Sequence, residues 1–115
     1  MIRIRYSHDG KTHQLHITGH AGYAPAGSDI VCAGASALAC ALVDYLRQSA
    51  EGTQVLRRES GEVLLTCPVS QRADTAIELA LTGFSRIAET YPRHAEVDTS
   101  DNTPQRGEER KYLWK

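Results

Sequence analysis

The chain has 115 residues, of which 41% are hydrophobic and 23% charged, with 13 Lys and Arg set against 14 Asp and Glu. That length holds one domain with one core, burying roughly two-thirds of the surface an unfolded chain exposes. A net charge of −1 supplies no general attraction to nucleic acid or to a membrane surface, so charge alone selects no partner.

Ile2 to Tyr6 alternates apolar and basic residues, Ser7-His8-Asp9-Gly10 ends in the Asp-Gly turn signal, and Thr12 to Thr18 alternates again with Leu15 and Ile17 on one face. An N-terminal β-hairpin is expected. The opening MIRIRYSHDG has no continuous apolar stretch and does not read as a signal peptide, which places the protein in the cytoplasm as an expectation. Ser28 or Asp29 can then cap a helix from about Ile30 to Ala50, whose last turn carries Arg47 and which Gly52 ends. Its longest uncharged run, Ile30 to Val43, is 14 residues, short of the ~20 that span a bilayer. A core helix is expected, with no membrane partner.

Ala33, Ala35, Ala37, Ala39 and Ala41 fall on different faces of this helix, so it needs cover on more than one side, from this chain or from a second copy. Gln54 to Glu59, the Ser60-Gly61 turn and Glu62 to Cys67 form a second hairpin that Pro68 stops. From Arg72 to Tyr91 the apolar positions Ala73, Ala76, Ile77, Ala80, Leu81, Phe84, Ile87, Ala88 and Tyr91 keep steps of three and four, which predicts a one-sided amphipathic helix. Gly83 inside it permits close packing, and Tyr91-Pro92 ends it. A short strand is expected around Ala95 to Val97. Asp98 to Lys111 holds no hydrophobic residue and reads as a polar tail that Tyr112, Leu113 and Trp114 could anchor. The order ββαββα, with a possible final strand, predicts an α+β domain in which two antiparallel hairpins cover two helices.

Chemistry concentrates in GHAGYAPAGSDIVCAGASAL, Gly19 to Leu38. Cys32 falls in the first turn of the first helix, where unpaired backbone N–H groups and the positive end of the macrodipole favour an anion and hence a thiolate. Those N–H groups could also hold the oxyanion of a tetrahedral intermediate. His20 follows the second strand, and the intervening loop is long enough for the two side chains to meet. If they do, His20 serves first as base or ion-pair partner to Cys32 and then protonates the leaving amine. Gly22 and Gly27 would let the loop move as a lid. The alternative is plain packing, since free cysteine is among the most buried residue types. Asp29 reads as a helix cap before an orienter of His20, and Ser36, one turn after Cys32 on the same face, as packing before chemistry.

Gly19-His20-Ala21-Gly22-Tyr23, Gly27, Asp29-Ile30-Val31-Cys32-Ala33 and Ser36-Ala37-Leu38 together resemble the signature of the ribosomal-processing cysteine protease Prp family. The resemblance extends more weakly over both hairpins and the second helix. It divides the chain into a cysteine protease-like α+β domain, residues 1–98, and a polar C-terminal tail, residues 99–115. What it implies is a His–Cys dyad of His20 and Cys32, with Asp29, Gly19, Gly22, Gly27 and Ser36 in supporting positions and no cofactor. It also implies a homodimer that removes a short N-terminal extension from a large-subunit ribosomal protein. A non-enzymatic ribosome-associated module that holds a protein N-terminus, and a thiol redox sensor, are the competing functions.

The remaining patterns are weaker. Cys32, Cys40 and Cys67 are expected reduced; eight residues of helix put Cys32 and Cys40 about 12 Å apart along the axis, beyond the ~7 Å reach of a disulfide. His13 and His16, three apart on a strand, point to opposite faces and do not share a metal, and no metal is expected. Arg3 with Arg5 and Arg57 with Arg58 read as a solvated face, not as a nucleic-acid contact.

Overall fold

The computed structural model describes the backbone of residues 1–101. Residues 102–115, including the aromatic end of the tail, lie outside the described residues. The elements run β1 (Ile2–His8), β2 (Thr12–Thr18), α1 (Ile30–Ser49), β3 (Gln54–Glu59), β4 (Glu62–Pro68), α2 (Gln71–Thr90) and β5 (Ala95–Asp101). All five strands join one sheet in the order β3-β4-β2-β1-β5. The two expected hairpins are therefore not separate covers: β4 pairs antiparallel with β2, and β5 pairs parallel with β1 from Ile2↔Ala95 to His8↔Asp101. That parallel ladder carries the last strand past Val97 to Asp101, where pairing with β1 decides the extent and side-chain polarity does not. β1 likewise runs on through Ser7 and His8 because they pair with Gln14 and His13.

Alternation along the strands sorts the sheet into two faces. Ile2, Ile4, Tyr6, His13, Leu15, Ile17, Leu65 and Cys67 are buried on one face, against α1 and α2. Arg3 and Arg5 stand on the other; Arg3 pairs with Glu96 at 3.0 Å. From α1 come Val31, Ala35, Ala39, Leu42, Val43 and Leu46, and from α2 Ala73, Ile77, Ala80, Leu81 and Phe84. Burying each large apolar side chain contributes roughly 1.5–3 kcal/mol. By length and composition α1 would pass for a membrane-spanning segment; its apolar stripe instead forms the centre of this core. The helices approach closely because Gly83 faces Leu38: a methyl group at position 83 would lie 2.7 Å from Leu38 Cδ1.

Both helices start at a side-chain cap, the first at one of the two residues its sequence offers and the second at a serine the periodicity does not single out. Asp29 caps α1 and Ser70 caps α2, each accepting from the amide three residues on. α1 ends at Ala50, whose N–H donates to the Leu46 carbonyl, and α2 at Tyr91, whose N–H donates to Ile87. The outward side of α1 stays open in this chain: Ile30 is 58% exposed and Tyr45 42% exposed. Among the described residues the sheet and α2 cover two sides of α1, and its outward side is left uncovered.

Candidate active site

The capping carboxylate of Asp29 organises the loop as well as the helix. Its Oδ1 accepts from the Cys32 amide at 2.9 Å, and its Oδ2 accepts from the amides of Tyr23 at 2.9 Å and Ala24 at 3.3 Å. The Asp29 carboxyl is held below the usual carboxylate range, first by the Cys32 amide, with the Ala24 and Tyr23 amides adding to it and burial opposing. One side chain therefore ties the loop before α1 to the turn that carries Cys32.

Cys32 is half-buried and free. Its sulfur accepts a hydrogen bond from the Ala21 amide at 3.2 Å. The oxyanion expectation needs correction here. The Cys32 N–H is taken by Asp29 Oδ1 and the Ala33 N–H makes the helix's own first bond, to the Asp29 carbonyl at 3.0 Å, so the cap takes the first-turn amide that Cys32 itself carries. The Ala21 amide is the backbone donor that the structure places beside the sulfur.

His20 sits at the end of β2, exposed. Its backbone is clamped: the Met1 ammonium donates to the His20 carbonyl at 2.6 Å, and the preceding Gly19 amide donates to the Gly61 carbonyl at 2.9 Å. The ring lies against Gly61 in the β3–β4 turn. Among the described residues no hydrogen bond joins it to the Cys32 sulfur. Both side chains nevertheless line one cleft of about 910 Å³, bounded by α1, the Gly19–Asp29 loop and the β3–β4 turn. Ser36 and Cys40 continue the α1 wall of that cleft beyond Cys32, and Arg58, Glu59 and Glu62 line the opposite wall. Arg58 reaches across to Asp44 at 2.8 Å, and this carboxylate, with the Cys40 side chain adding to it, raises the Arg58 pKa and keeps the guanidinium charged.

Gly19, Gly22 and Gly27 all hold positive φ. The loop is braced at its base: the Ala21 carbonyl meets His94 Nδ1 at 2.9 Å, and Tyr23 packs edge-on against Tyr91 and His94, each with centroids 5.3 Å away. Pro25 to Ser28 is its exposed part. The remaining cysteines differ from Cys32. Cys40 is exposed on α1, and Cys67 is fully buried with its sulfur 3.2 Å from Thr53 Oγ1. His13 and His16 do point to opposite faces: His13 bonds Tyr6 Oη and Asp74 Oδ1, both at 2.6 Å, and His16 bonds Glu62 at 2.8 Å. Among the described residues no group of three His, Cys, Asp or Glu side chains comes together to hold a metal.

Sequence reasoning missed the Ala21 amide, His94, Tyr91 and Gly61. The first is a backbone group with no side-chain signal. His94 and Tyr91 lie some seventy residues from the loop and reach it only because α2 returns the chain beside β1. Gly61 carried a signal, a turn glycine, but that signal spoke only of the hairpin.

A family model described as cysteine protease Prp matches residues 1–96. Among solved structures, the essential ribosomal processing protease Prp from S. aureus with a covalently linked product peptide superposes with a TM-score of 0.77 at 24% identity, covering 87% of this chain and 100% of that one. The same S. aureus protease with a substrate peptide gives 0.69 at 22% identity over the same shares. SMU.848 from Streptococcus mutans gives 0.67 at 25% identity, covering 89% of this chain and 96% of that one. No curated protein sequence matches the chain significantly. At these identities the solved structures establish a shared fold, and the family model, matched over residues 1–96, shows the family.

Proposed function

Because this chain belongs to the cysteine protease Prp family, its chemistry is peptide-bond hydrolysis by a thiol, and we propose that it removes the N-terminal extension of a large-subunit ribosomal protein through Cys32 and His20. The observation that carries this reading is the Cys32 sulfur at the start of α1, with the Ala21 amide donating to it at 3.2 Å in a cleft it shares with His20. The S. aureus protease takes a substrate peptide, and the present cleft, open and long on one side of α1, suits an extended chain.

In this mechanism the Cys32 thiolate attacks the scissile carbonyl carbon, forming a C–S bond while the carbonyl electrons move to oxygen. The Ala21 amide stabilises that oxygen. Collapse of the intermediate breaks the C–N bond as His20 delivers its proton to the leaving amine, giving a thioester. Water then attacks the thioester with His20 taking its proton, and the C–S bond breaks to release the acid and restore the thiolate. His20 must turn from Gly61 toward the sulfur for these steps, a change that substrate binding can drive.

The protein acts in this reading as a cytoplasmic homodimer. Exposed apolar side chains on the helical layer support the second copy, among them Ile30, Tyr45 and Leu79, the last 72% exposed. Sedimentation at micromolar concentration is expected to give twice the monomer mass, and a monomer alone would reject the dimer.

Incubation with a synthetic peptide copying the extension, followed by mass spectrometry, tests the activity. Cleavage at one bond, with a transient peptide adduct on Cys32, is expected. Tight binding without cleavage would favour a holding module, and reversible oxidation of Cys32 as the sole thiol chemistry would favour a redox sensor.

A further inference from the structure

The two hairpin turns offer a comparison that separates backbone demand from site demand. Gly10, in the β1–β2 turn, has φ +89°, and a methyl group built on it would meet no atom within 4 Å. Gly61, in the β3–β4 turn, has nearly the same φ, +80°, but its methyl group would lie 2.9 Å from Nε2 and 3.3 Å from Cε1 of His20. A left-handed turn position alone tolerates Asn or Asp as well as glycine. At Gly61 a second requirement is added, because any Cβ would occupy the space in which the imidazole edge rests.

The same turn holds the histidine's backbone, since the Gly61 carbonyl accepts from the Gly19 amide at 2.9 Å. The turn and the residue it supports are 41 positions apart in sequence, brought together by the β2–β4 pairing that sets Thr18 opposite Glu62. Asp29, Arg58, Glu59 and Glu62 are the charged groups lining the surrounding cleft, and none of them makes a hydrogen bond to the His20 ring among the described residues.

We propose that Gly61 is a positioning residue for His20: the β3–β4 turn is a seat that fixes where the imidazole starts and how freely it turns toward Cys32. A Cβ at residue 61 makes the imidazole edge shift from this seat. This inference rests on the cysteine protease reading above for its kinetic consequence, and on geometry alone for the ring's placement.

The test compares Gly61→Ala with Gly10→Ala, which carries the same backbone strain without the contact. Gly61→Ala is expected to lower kcat roughly tenfold, because the ring then starts its turn toward Cys32 from an unseated position, with KM within about twofold, and to shift the limb of the pH–rate profile that reports the imidazole. Gly10→Ala should leave kcat, KM and profile within about twofold of wild type. Proton NMR of the imidazole C–H groups, with His20 assigned by its loss in His20→Gln, reads the placement without any substrate: the His20 resonances move in Gly61→Ala and stay in Gly10→Ala. Should Gly61→Ala not fold, the Gly61→Asn and Gly10→Asn pair asks the same question with less strain. Survival of cleavage in Cys32→Ala would sink the protease mechanism and leave the NMR comparison to decide the seat. Loss of cleavage in Cys32→Ala, with Gly61 and Gly10 variants matching in kcat, profile and His20 resonances, would overturn the seat and leave the mechanism standing.

Discussion

The two ends of the sheet each carry a histidine, and they treat it in opposite ways. At the β1–β2 turn, His13 is 6% exposed, with both ring nitrogens engaged, Nδ1 to Tyr6 Oη and Nε2 to Asp74. Nε2 faces the Asp74 side chain on α2 and Nδ1 the Tyr6 hydroxyl on β1, so both ring nitrogens have partners. At the opposite end His20 has its backbone clamped by Met1 and the Gly19–Gly61 bond, while its ring rests against Gly61 over a large cleft and makes no hydrogen bond among the described residues. A histidine whose valences are filled welds α2 to the sheet. One whose ring is placed yet unengaged remains available to take and give a proton.

The sharpest way to break this contrast is at the sulfur. Cys32→Ala is expected to remove cleavage, by roughly 10⁴-fold or more, while circular dichroism and melting stay near wild type, because Cys32 is only half-buried. Cys40→Ala should cleave normally. Appreciable turnover in Cys32→Ala would put the nucleophile elsewhere.

Next in size is His20→Ala, expected to lower kcat by about 10²–10⁴-fold with little change in KM. Wild-type activity should rise with pH as the thiolate forms and fall as the imidazolium that protonates the amine is lost. An alanine variant equal to wild type in rate and in pH profile would remove His20 from the chemistry.

Asp29→Ala should cost kcat about tenfold to 10²-fold by loosening the loop that aims the Ala21 amide at the sulfur, with Asp29→Asn milder because it still accepts from the Cys32 amide. The pH dependence has a definite sign. The folded carboxyl titrates below its unfolded value because the Cys32 amide and then its neighbours favour the anion. Its contribution is therefore complete above the unfolded value of about 3.9 and is lost as pH falls through the lowered folded one. Protection factors of the Tyr23 and Ala24 amides, exchange rates referred to the intrinsic rate at each pH, are expected to be high at neutral pH and to fall in acid, which checks it.

Smallest on activity and instructive on stability is His13→Ala. It should leave kcat within about twofold of wild type and cost about 2 kcal/mol in urea unfolding, moderated because the Asp74 side chain keeps 27% of its surface exposed. A kcat loss as large as that of His20→Ala would erase the distinction between the two ends.

Patterns local in the chain determined much of this protein. Period two and the turn residues Asp9-Gly10 and Ser60-Gly61 specified both hairpins, and three-and-four spacing specified α2 almost to the residue. A cap at Ser28 or Asp29 put Cys32 in the first turn of α1 in either case, and the structure chose Asp29. These features are legible because each depends on backbone geometry over a few neighbouring residues. Only the tertiary structure decided that the hairpins fuse through β2 and β4, that β5 extends to Asp101 along β1, and that His94 and Tyr91 brace the loop. It alone decided which amide reaches the sulfur, since Asp29 takes the amide that Cys32 itself carries, and it alone brought Gly61 beneath His20. The physical reason is the same throughout: these contacts join residues tens of positions apart, and no short-range preference encodes a distance that strand pairing and helix packing settle together.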